Sequence, residues 1–201
     1  MHSWLKPCLV VYWLSLAVWL AAMAAAGLAA GHTFGKLPAT PMVLEAYALY
    51  PAEEHGRIAA GLVMADLFVT VDFIQFAAIP LAVLTLALQL TVFGLPARRP
   101  ANIVRLVCLA LGACLFAYYA VAVAPALNGA LRTYWEAARA GELETAALYQ
   151  QLAGAYHSTA RLVLQLNLAL VVGAIAASAI ALSPAPRREP GLPEPQLLKQ
   201  R

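Results

Sequence analysis

Charged residues are scarce in this chain. Only 11% of its 201 residues are Asp, Glu, Lys or Arg, and 63% are hydrophobic, whereas a soluble domain has roughly 25% charged and 45–50% apolar residues. So few ionisable groups do not suffice to cover a water-facing surface while the apolar side chains are buried. The composition therefore excludes an ordinary soluble globular protein and indicates a protein of the lipid bilayer.

Paired cysteines and intramembrane histidines are also lacking. The three cysteines, Cys8, Cys108 and Cys114, form no C-x-x-C pair, which a thiol-oxidising membrane enzyme needs. The four histidines lie in a terminus, in loops or at a helix end, not within the apolar runs where a haem between helices would find its ligands. Redox chemistry of either kind is therefore not expected.

Motifs of the common enzyme classes are missing as well. The sequence has no Walker loop, no G-x-S-x-G and no dinucleotide fingerprint. Some acidic residues and histidines of the loops could in principle gather around a metal, but they have no fixed ligand spacing: His32, Glu53, Glu54, His55, Glu144 and His157. We therefore expect solvated loop residues, no metal, no cofactor, no catalytic residue and a protein that is not an enzyme.

Four apolar runs are long enough to span the hydrocarbon layer, which takes about 20 residues of helix. They cover residues 9–30, 67–93, 103–124 and 162–182. Because the runs are continuous rather than alternating, they predict helices and not barrel strands. The expected fold is all-α, a polytopic membrane protein whose residues 1–182 form a bundle of four transmembrane helices. Residues 183–201 contain five prolines and mixed charge, which predicts a disordered cytoplasmic tail.

The first run has an alternative interpretation. Lys6, followed by an apolar stretch with an Ala-rich end, is also compatible with a cleaved secretory signal. However, residues 9–30 are a longer run than the roughly 7–15 residues of a signal core. We therefore prefer a retained span.

The basic residues indicate the orientation. In a four-span arrangement, eight Lys and Arg lie on the side of the two termini and the short 96–100 turn, and five lie on the other side in much longer loops. Positively charged loops stay in the cytoplasm, so we expect both termini to be cytoplasmic. The net charge of +3 then reflects topology and not an affinity for nucleic acid.

The long outer loops, residues 31–61 and 125–160, are partly helical in composition. Residues 131–140 and 144–161 favour helix, and Gly141 between them favours a break. We therefore expect the third and fourth spans to continue outward as helices. Pro80, inside the second span, predicts a kink.

Small residues recur at helical spacing along the third span. They form one stripe, made of Ala110, Ala113, Ala117, Ala120 and Ala124. Small residues let membrane helices approach closely, so we interpret the stripe as a packing seam within the chain, with a homodimer face as the alternative. Similar stripes run along the first and fourth spans: Ala17, Ala21, Ala24 and Gly31, and Ala169, Gly173 and Ala176.

Polar residues of the spans are costly in a bilayer and therefore point to function. Most of them fall in the outer half of the membrane, where they give a candidate ligand-binding pocket of Asp72, Gln75, Tyr119, His157, Arg161, Gln165 and Asn167. We expect Asp72 to pair with Arg161, with the amides of Gln165 and Asn167 hydrogen-bonded around them. The alternative is that these groups only satisfy one another or headgroup water.

The layout also resembles a known family. The stretch Trp19–Gly27, the proline at 125 and the run YQQLAGAYHSTARLVLQLN from Tyr149 to Asn167 resemble the four-span bacterial membrane proteins related to transmembrane protein 205, a family of unknown function. In that family a His near the start of the last span is followed by a Ser and an Asn on successive turns, and His157 and Asn167 resemble the His and the Asn. The resemblance implies a multi-pass inner-membrane protein without an established activity.

Two functions from different classes fit these features. The first is a non-enzymatic membrane protein that binds a small polar ligand, an ion or a lipid headgroup in the outer pocket, or serves as a transport component. The second is a structural or accessory subunit, which docks a second copy or another membrane protein through the alanine seams and the outer helices around Tyr134, Trp135 and Tyr149. In both cases the lipid bilayer is the surrounding medium.

Overall fold

A computed structural model describes residues 4–183, which form helices and turns and contain no β-strand. The helices are α1 (Leu5–Lys36), α2 (His55–Thr91), α3 (Pro100–Tyr118), α4 (Ala124–Ala140) and α5 (Leu143–Leu182). A π-helix, Tyr119–Val123, joins α3 to α4 into one continuous rod. The described residues therefore contain four rods long and apolar enough to cross a membrane, which confirms the all-α class. The predicted tail lies, apart from Ser183, outside the described residues.

The connection between α1 and α2 is shorter than predicted. We expected a loop over residues 31–61, but α1 continues to Lys36 and α2 begins at His55. The reason is packing, since His55, Gly56, Ile58 and Ala60 are all buried and tertiary contacts override a modest helix propensity. Residues 37–54 then make the connection through three short 3-10 turns.

The third span continues outward as a helix, as predicted, and it ends at the predicted glycine break. Gly141 adopts φ 76° and separates α4 from α5, a left-handed conformation that glycine tolerates best. Pro125 does not end the helix. Its ring would clash with the carbonyl four residues earlier, and the wider π-helix just before it, in which the Ala124 N–H donates to the Tyr119 carbonyl, accommodates it.

The rods pack in two main pairs, α1 along α2 and α5 along α3 and α4. We call the end with residues 37–54 and Gly141 the long-loop end, and the end with residues 92–99 the short-loop end. A buried core joins the rods and includes Tyr12, Leu16 and Trp19 of α1, Ala78, Ile79, Ala82 and Leu86 of α2, Leu109 and Phe116 of α3, and Val171 and Ala174 of α5.

The alanine stripe of the third span is not the most buried face of α3, and its prediction as a seam within the chain is wrong for Ala110 and Ala117. The buried residues are Asn102, Arg105, Leu109, Gly112 and Phe116. The predicted stripe is displaced by about 100° around the helix, with Ala110 and Ala117 exposed and Ala113, Ala120 and Ala124 half-buried. The reason is polarity, because Asn102 and Arg105 are costly to expose to lipid and must face the protein.

Arg105 is fully buried near the short-loop end. Its Nη2 donates to Gln89 Oε1 at 2.7 Å and its Nη1 donates to Asn102 Oδ1 at 2.9 Å. The guanidinium also lies 4.7 Å from the centre of the Tyr12 ring, and the Tyr12 and Ser178 hydroxyls are 2.8 Å apart. One cation thus connects α2 and α3 directly with α1, and Tyr12 extends the network to α5.

His55 fastens the 37–54 connection and is not the solvated loop residue that we expected. Its side chain is buried, and Nδ1 accepts a hydrogen bond from the Leu44 N–H at 3.0 Å. The proton is therefore on Nε2, which donates to the Tyr47 carbonyl at 2.9 Å. The side chain at residue 55 accepts one hydrogen bond from the backbone and donates another, which a neutral imidazole can do.

The aromatic residues of α4 and α5 near the long-loop end are engaged in internal packing. Tyr134 is buried against Tyr47 and Tyr50, and Trp135 and Tyr149 pack on the same cluster. Tyr134 is therefore buried within the chain, whereas Trp135 and Tyr149 are half-buried. Docking of a partner around these residues stays a prediction.

We predict that Gly56→Ala destabilises the protein. A Cβ at residue 56 would overlap the Leu37 carbonyl oxygen and lie 2.9 Å from the Pro38 Cα, and these backbone atoms have no rotamer to move into. Overpacking of this kind costs about 1–3 kcal/mol, so the midpoint of thermal unfolding in detergent should fall. The matched control is Gly35→Ala, because a Cβ there meets nothing within 4 Å. Equal midpoints for the two variants would contradict the tight packing of residues 37 and 38 on α2.

We also predict that Arg105→Leu destabilises the protein strongly. The change removes the donors of Gln89 Oε1 and Asn102 Oδ1, and each buried acceptor without a donor costs about 1–3 kcal/mol. Unfolding by a denaturing detergent, followed by circular dichroism, measures the loss. Arg99→Leu is the control, since Arg99 is a basic residue of the same region with an exposed side chain. The role of Arg105 as a connector fails if the two variants are equally stable.

Candidate functional site

A cavity of about 730 Å³ lies between α1, α2, the α3–α4 rod and α5, in the half of the rods nearer the long-loop end. Ligand pockets in proteins measure roughly 300–1,000 Å³, so the space suits a small molecule or part of a lipid. Its walls are mainly apolar and include Met23, Leu28, Phe68 and Phe116. A few polar groups interrupt these walls.

The structure brings all the predicted pocket residues to this cavity: Asp72, Gln75, Tyr119, His157, Arg161, Gln165 and Asn167 all line it. They come from three rods. The sequence predicts this group because their positions along the helices place them towards the same end of the spans. The contacts among them differ from the expectation, as the individual side chains show.

Asp72 and Arg161 do not form the predicted ion pair. The half-buried Asp72 carboxylate accepts a hydrogen bond from the Tyr119 hydroxyl at 3.4 Å, and the single ion pair of residues 4–183 joins Arg57 to Glu54. Arg161 lines the same cavity but its side chain is exposed. A long arginine side chain that reaches solvent keeps its charge hydrated there and does not cross an apolar space.

Gln75 is partnered by a residue that the sequence did not reveal. The buried Trp19 Nε1 donates to Gln75 Oε1 at 3.1 Å, which joins α1 to α2 beside the cavity. A buried indole N–H requires an acceptor. Trp19 lies well inside an apolar run rather than at a membrane interface, and that position was the signal that could have indicated a polar partner.

Asn167 is 2% exposed and its Oδ1 has no hydrogen-bond partner. It packs at Gly112, where a Cβ would lie 3.1 Å from Asn167 Oδ1 and 2.9 Å from the Trp19 ring. No hydrogen bond joins Asn167 or Gln165 to Asp72 or Arg161 within the described part of the chain, so the expected ring of amides is not formed. An unpartnered buried acceptor costs about 1–3 kcal/mol, and the Asn167 oxygen, which is enclosed at Gly112, bears this cost.

Small residues of α1 create the space. Ala24, Gly27 and Gly31 line the cavity, and a Cβ at Gly27 or Gly31 would meet nothing within 4 Å. The prediction of this stripe as a packing seam is therefore wrong for Ala24 and Gly31. No neighbouring helix comes close to these positions, so the missing side chains leave a void where close contact was expected.

Phe34 and His157 line the part of the cavity nearest the long-loop end. Their ring centres are 6.3 Å apart in an edge-to-face arrangement, and the His157 side chain is exposed. This pair borders the polar groups on the solvent side. His157 thus belongs to the cavity wall without a hydrogen-bonded catalytic partner among the described residues.

Comparison of the chain with protein-family models, with curated proteins and with solved structures finds no match. The cavity is therefore interpreted from its own chemistry. It offers a carboxylate at Asp72 and an exposed guanidinium at Arg161 on the walls of an apolar space.

Proposed function

We propose that the protein is a non-enzymatic, multi-pass protein of the bacterial inner membrane that binds a small amphipathic ligand, such as a lipid, in this cavity. The observation that carries the proposal is the cavity itself, whose volume is about 730 Å³ and whose largely apolar wall includes the Asp72 carboxylate.

The mixed lining of the cavity favours an amphiphile over the other ligands that we considered. A free ion or a small polar solute would leave the faces of Phe68, Phe116 and Leu168 in contact with water, which is unfavourable for apolar surface. A wholly apolar ligand would leave the Asp72 carboxylate in a dry environment with the long bond from Tyr119 as its one side-chain hydrogen bond. A molecule with a polar end and a hydrocarbon part satisfies both sets of groups.

Access from the lipid supports the same proposal. Gly27, Leu28 and Gly31 line the cavity and are also exposed on the outside of α1. Contacts between α1 and α5 are sparse in comparison with those of α1 and α2. A ligand dissolved in the bilayer would therefore enter between α1 and α5 without crossing water.

The membrane arrangement that goes with this proposal is a four-helix bundle with cytoplasmic termini. Rods of about 40 residues are about 60 Å long, twice the roughly 30 Å of the hydrocarbon layer, so their long-loop ends would project as outer helical extensions. The excess of Lys and Arg at the opposite end supports this orientation, and the cavity then lies in the outer half. The resemblance to the four-span family fits the same arrangement and stays a prediction.

We predict that Gly27→Leu blocks the cavity without unfolding the protein. The new side chain enters space in which a Cβ meets no atom within 4 Å, and leucine favours helix over glycine by up to about 1 kcal/mol. Binding of a phospholipid with a fluorescent acyl chain to the purified full chain in a non-ionic detergent should weaken at least tenfold. Gly154→Leu is the matched control, because Gly154 is equally open but lies outside the cavity. Unchanged binding in Gly27→Leu, or an equal loss in both variants, would contradict the proposal.

A second candidate function, an accessory subunit that docks a partner helix, is favoured by the alanine stripe of α3. Ala110 and Ala117 are exposed on the outside of the rod. Within a bilayer, small residues on a free helix face allow a second helix to approach closely. The stripe would then be a contact with a second copy or with another membrane protein, which was our alternative interpretation from the sequence.

Cross-linking tests a second copy on this stripe. In a variant whose three native cysteines are replaced by serine, Ala117→Cys should form a disulfide-linked dimer in native membranes under mild oxidation. Leu111→Cys is the control, since Leu111 is exposed and lies about 120° away around α3. Monomer alone for Ala117→Cys, or equal cross-linking at both positions, argues against a specific homodimer through the stripe.

A further inference from the structure

Asp72 is a carboxylate on an apolar wall without a cationic partner. Within residues 4–183 it has no Lys, Arg or His nitrogen within 4.0 Å, and its one side-chain contact is the Tyr119 hydroxyl at 3.4 Å. Burying a charge is costly unless it is paired and hydrogen-bonded. A ligand that supplies a positive charge would therefore gain more at this wall than a neutral one.

A metal ion is not the cation that this wall favours. Hard cations bind six or more oxygen ligands, whereas the Asp72 carboxylate has one hydroxyl partner, that of Tyr119, and lines a cavity whose wall also includes Phe68 and Phe116. A protonated amine needs only a few acceptors and is also attracted to aromatic faces. The surroundings of Asp72 suit an ammonium group joined to a hydrocarbon chain.

Asn167 is a second polar residue of the wall, at another depth. Gly112, which packs on Asn167, precedes Tyr119, which binds Asp72, by seven residues, and this spacing corresponds to about 10 Å along the rod. The Asn167 oxygen is enclosed at Gly112, so Asp72 is the position for a charge.

Arg161 does not reverse this preference. Its guanidinium is exposed and makes no ion pair within the described residues, so an anion bound there would stay at the solvated side of the cavity. An anionic head that moved further inward would approach the Asp72 carboxylate and be repelled. Charge within the cavity therefore favours a cationic polar end.

We infer that the ligand of this cavity is an amphiphile with a protonated amine, and that its ammonium group binds the Asp72 carboxylate beside Tyr119. This inference rests on the proposed function, that the cavity holds an amphiphile, and adds the chemistry of its polar end.

Three compounds with the same chain and different polar ends test the inference. Dodecylamine, dodecanol and dodecanoate compete with the fluorescent phospholipid for the purified full chain in a non-ionic detergent at neutral pH. Dodecylamine should displace the probe at least tenfold better than dodecanol, and dodecanoate should be the weakest. Asp72→Asn should abolish the preference for the amine while the affinity for dodecanol stays within about threefold, and this second measurement also shows that the variant is folded.

Two control variants separate Asp72 from general surface charge. Asp66→Asn removes an exposed carboxylate of α2 that does not line the cavity, and Arg57→Gln removes an exposed cation of α2 that does not line it either. Both should keep the preference for dodecylamine.

The possible results distinguish this inference from the proposed function. If the phospholipid does not bind, or if none of the three compounds displaces it, the proposed function fails and the inference fails with it. If the compounds displace the probe equally, if dodecanoate is the strongest, or if Asp66→Asn abolishes the preference as Asp72→Asn does, the amine is excluded and an amphiphile site remains.

Discussion

The burial of Arg105 is the constraint on which the arrangement of the rods depends. A guanidinium that faces lipid is expensive, so α3 turns its Arg105 face towards Gln89 and Tyr12, where hydrogen bonds and an aromatic ring receive the charge. Residues seven apart lie on nearly the same helix face, so this rotation also directs Gly112 and Tyr119 inward. Tyr119 then reaches Asp72, and Gly112 leaves room for Asn167. The polar network around Arg105, near the short-loop end, thus determines which residues of the α3–α4 rod line the cavity nearer the long-loop end.

Glycine has opposite effects at two places around the cavity. At Gly112 the missing side chain permits close contact, because Trp19 and Asn167 occupy the position where a Cβ would be. At Gly27 and Gly31 it leaves empty space, because no other helix approaches. The sequence presents both as small residues at helical spacing. Which effect results depends on the distance to the neighbouring helix, and that distance is a property of the whole fold.

Depth along a helix could be predicted from the sequence, whereas rotation about the helix axis could not. The apolar runs predicted the four rods, and counting residues from their ends grouped the polar side chains around Asp72 and Asn167 correctly by level. The stripe at Ala110 and Ala117 was predicted to be buried, but these residues are exposed. The spacing of small residues identifies a helix face and does not show whether that face is buried. We had treated Arg105 only as a flanking basic charge, although its rotation selects the buried face of α3. The hydrogen bond between Trp19 and Gln75 joins two rods, so no local sequence pattern identifies the two residues as partners.

The unsatisfied buried polar groups differ in what surrounds them. Three buried side-chain atoms of the described residues lack partners, namely Gln89 Nε2, the Tyr134 hydroxyl and Asn167 Oδ1. Gln89 and Tyr134 belong to clusters in which neighbouring groups are already bonded or packed, and neither lines the cavity. Asn167 lines the cavity, although its oxygen is enclosed beside Gly112 and the Trp19 ring. The fold thus keeps a costly buried amide next to open space, and at Gly27 and Gly31 the chain leaves that space unfilled, although a larger residue would fit there and would favour the helix.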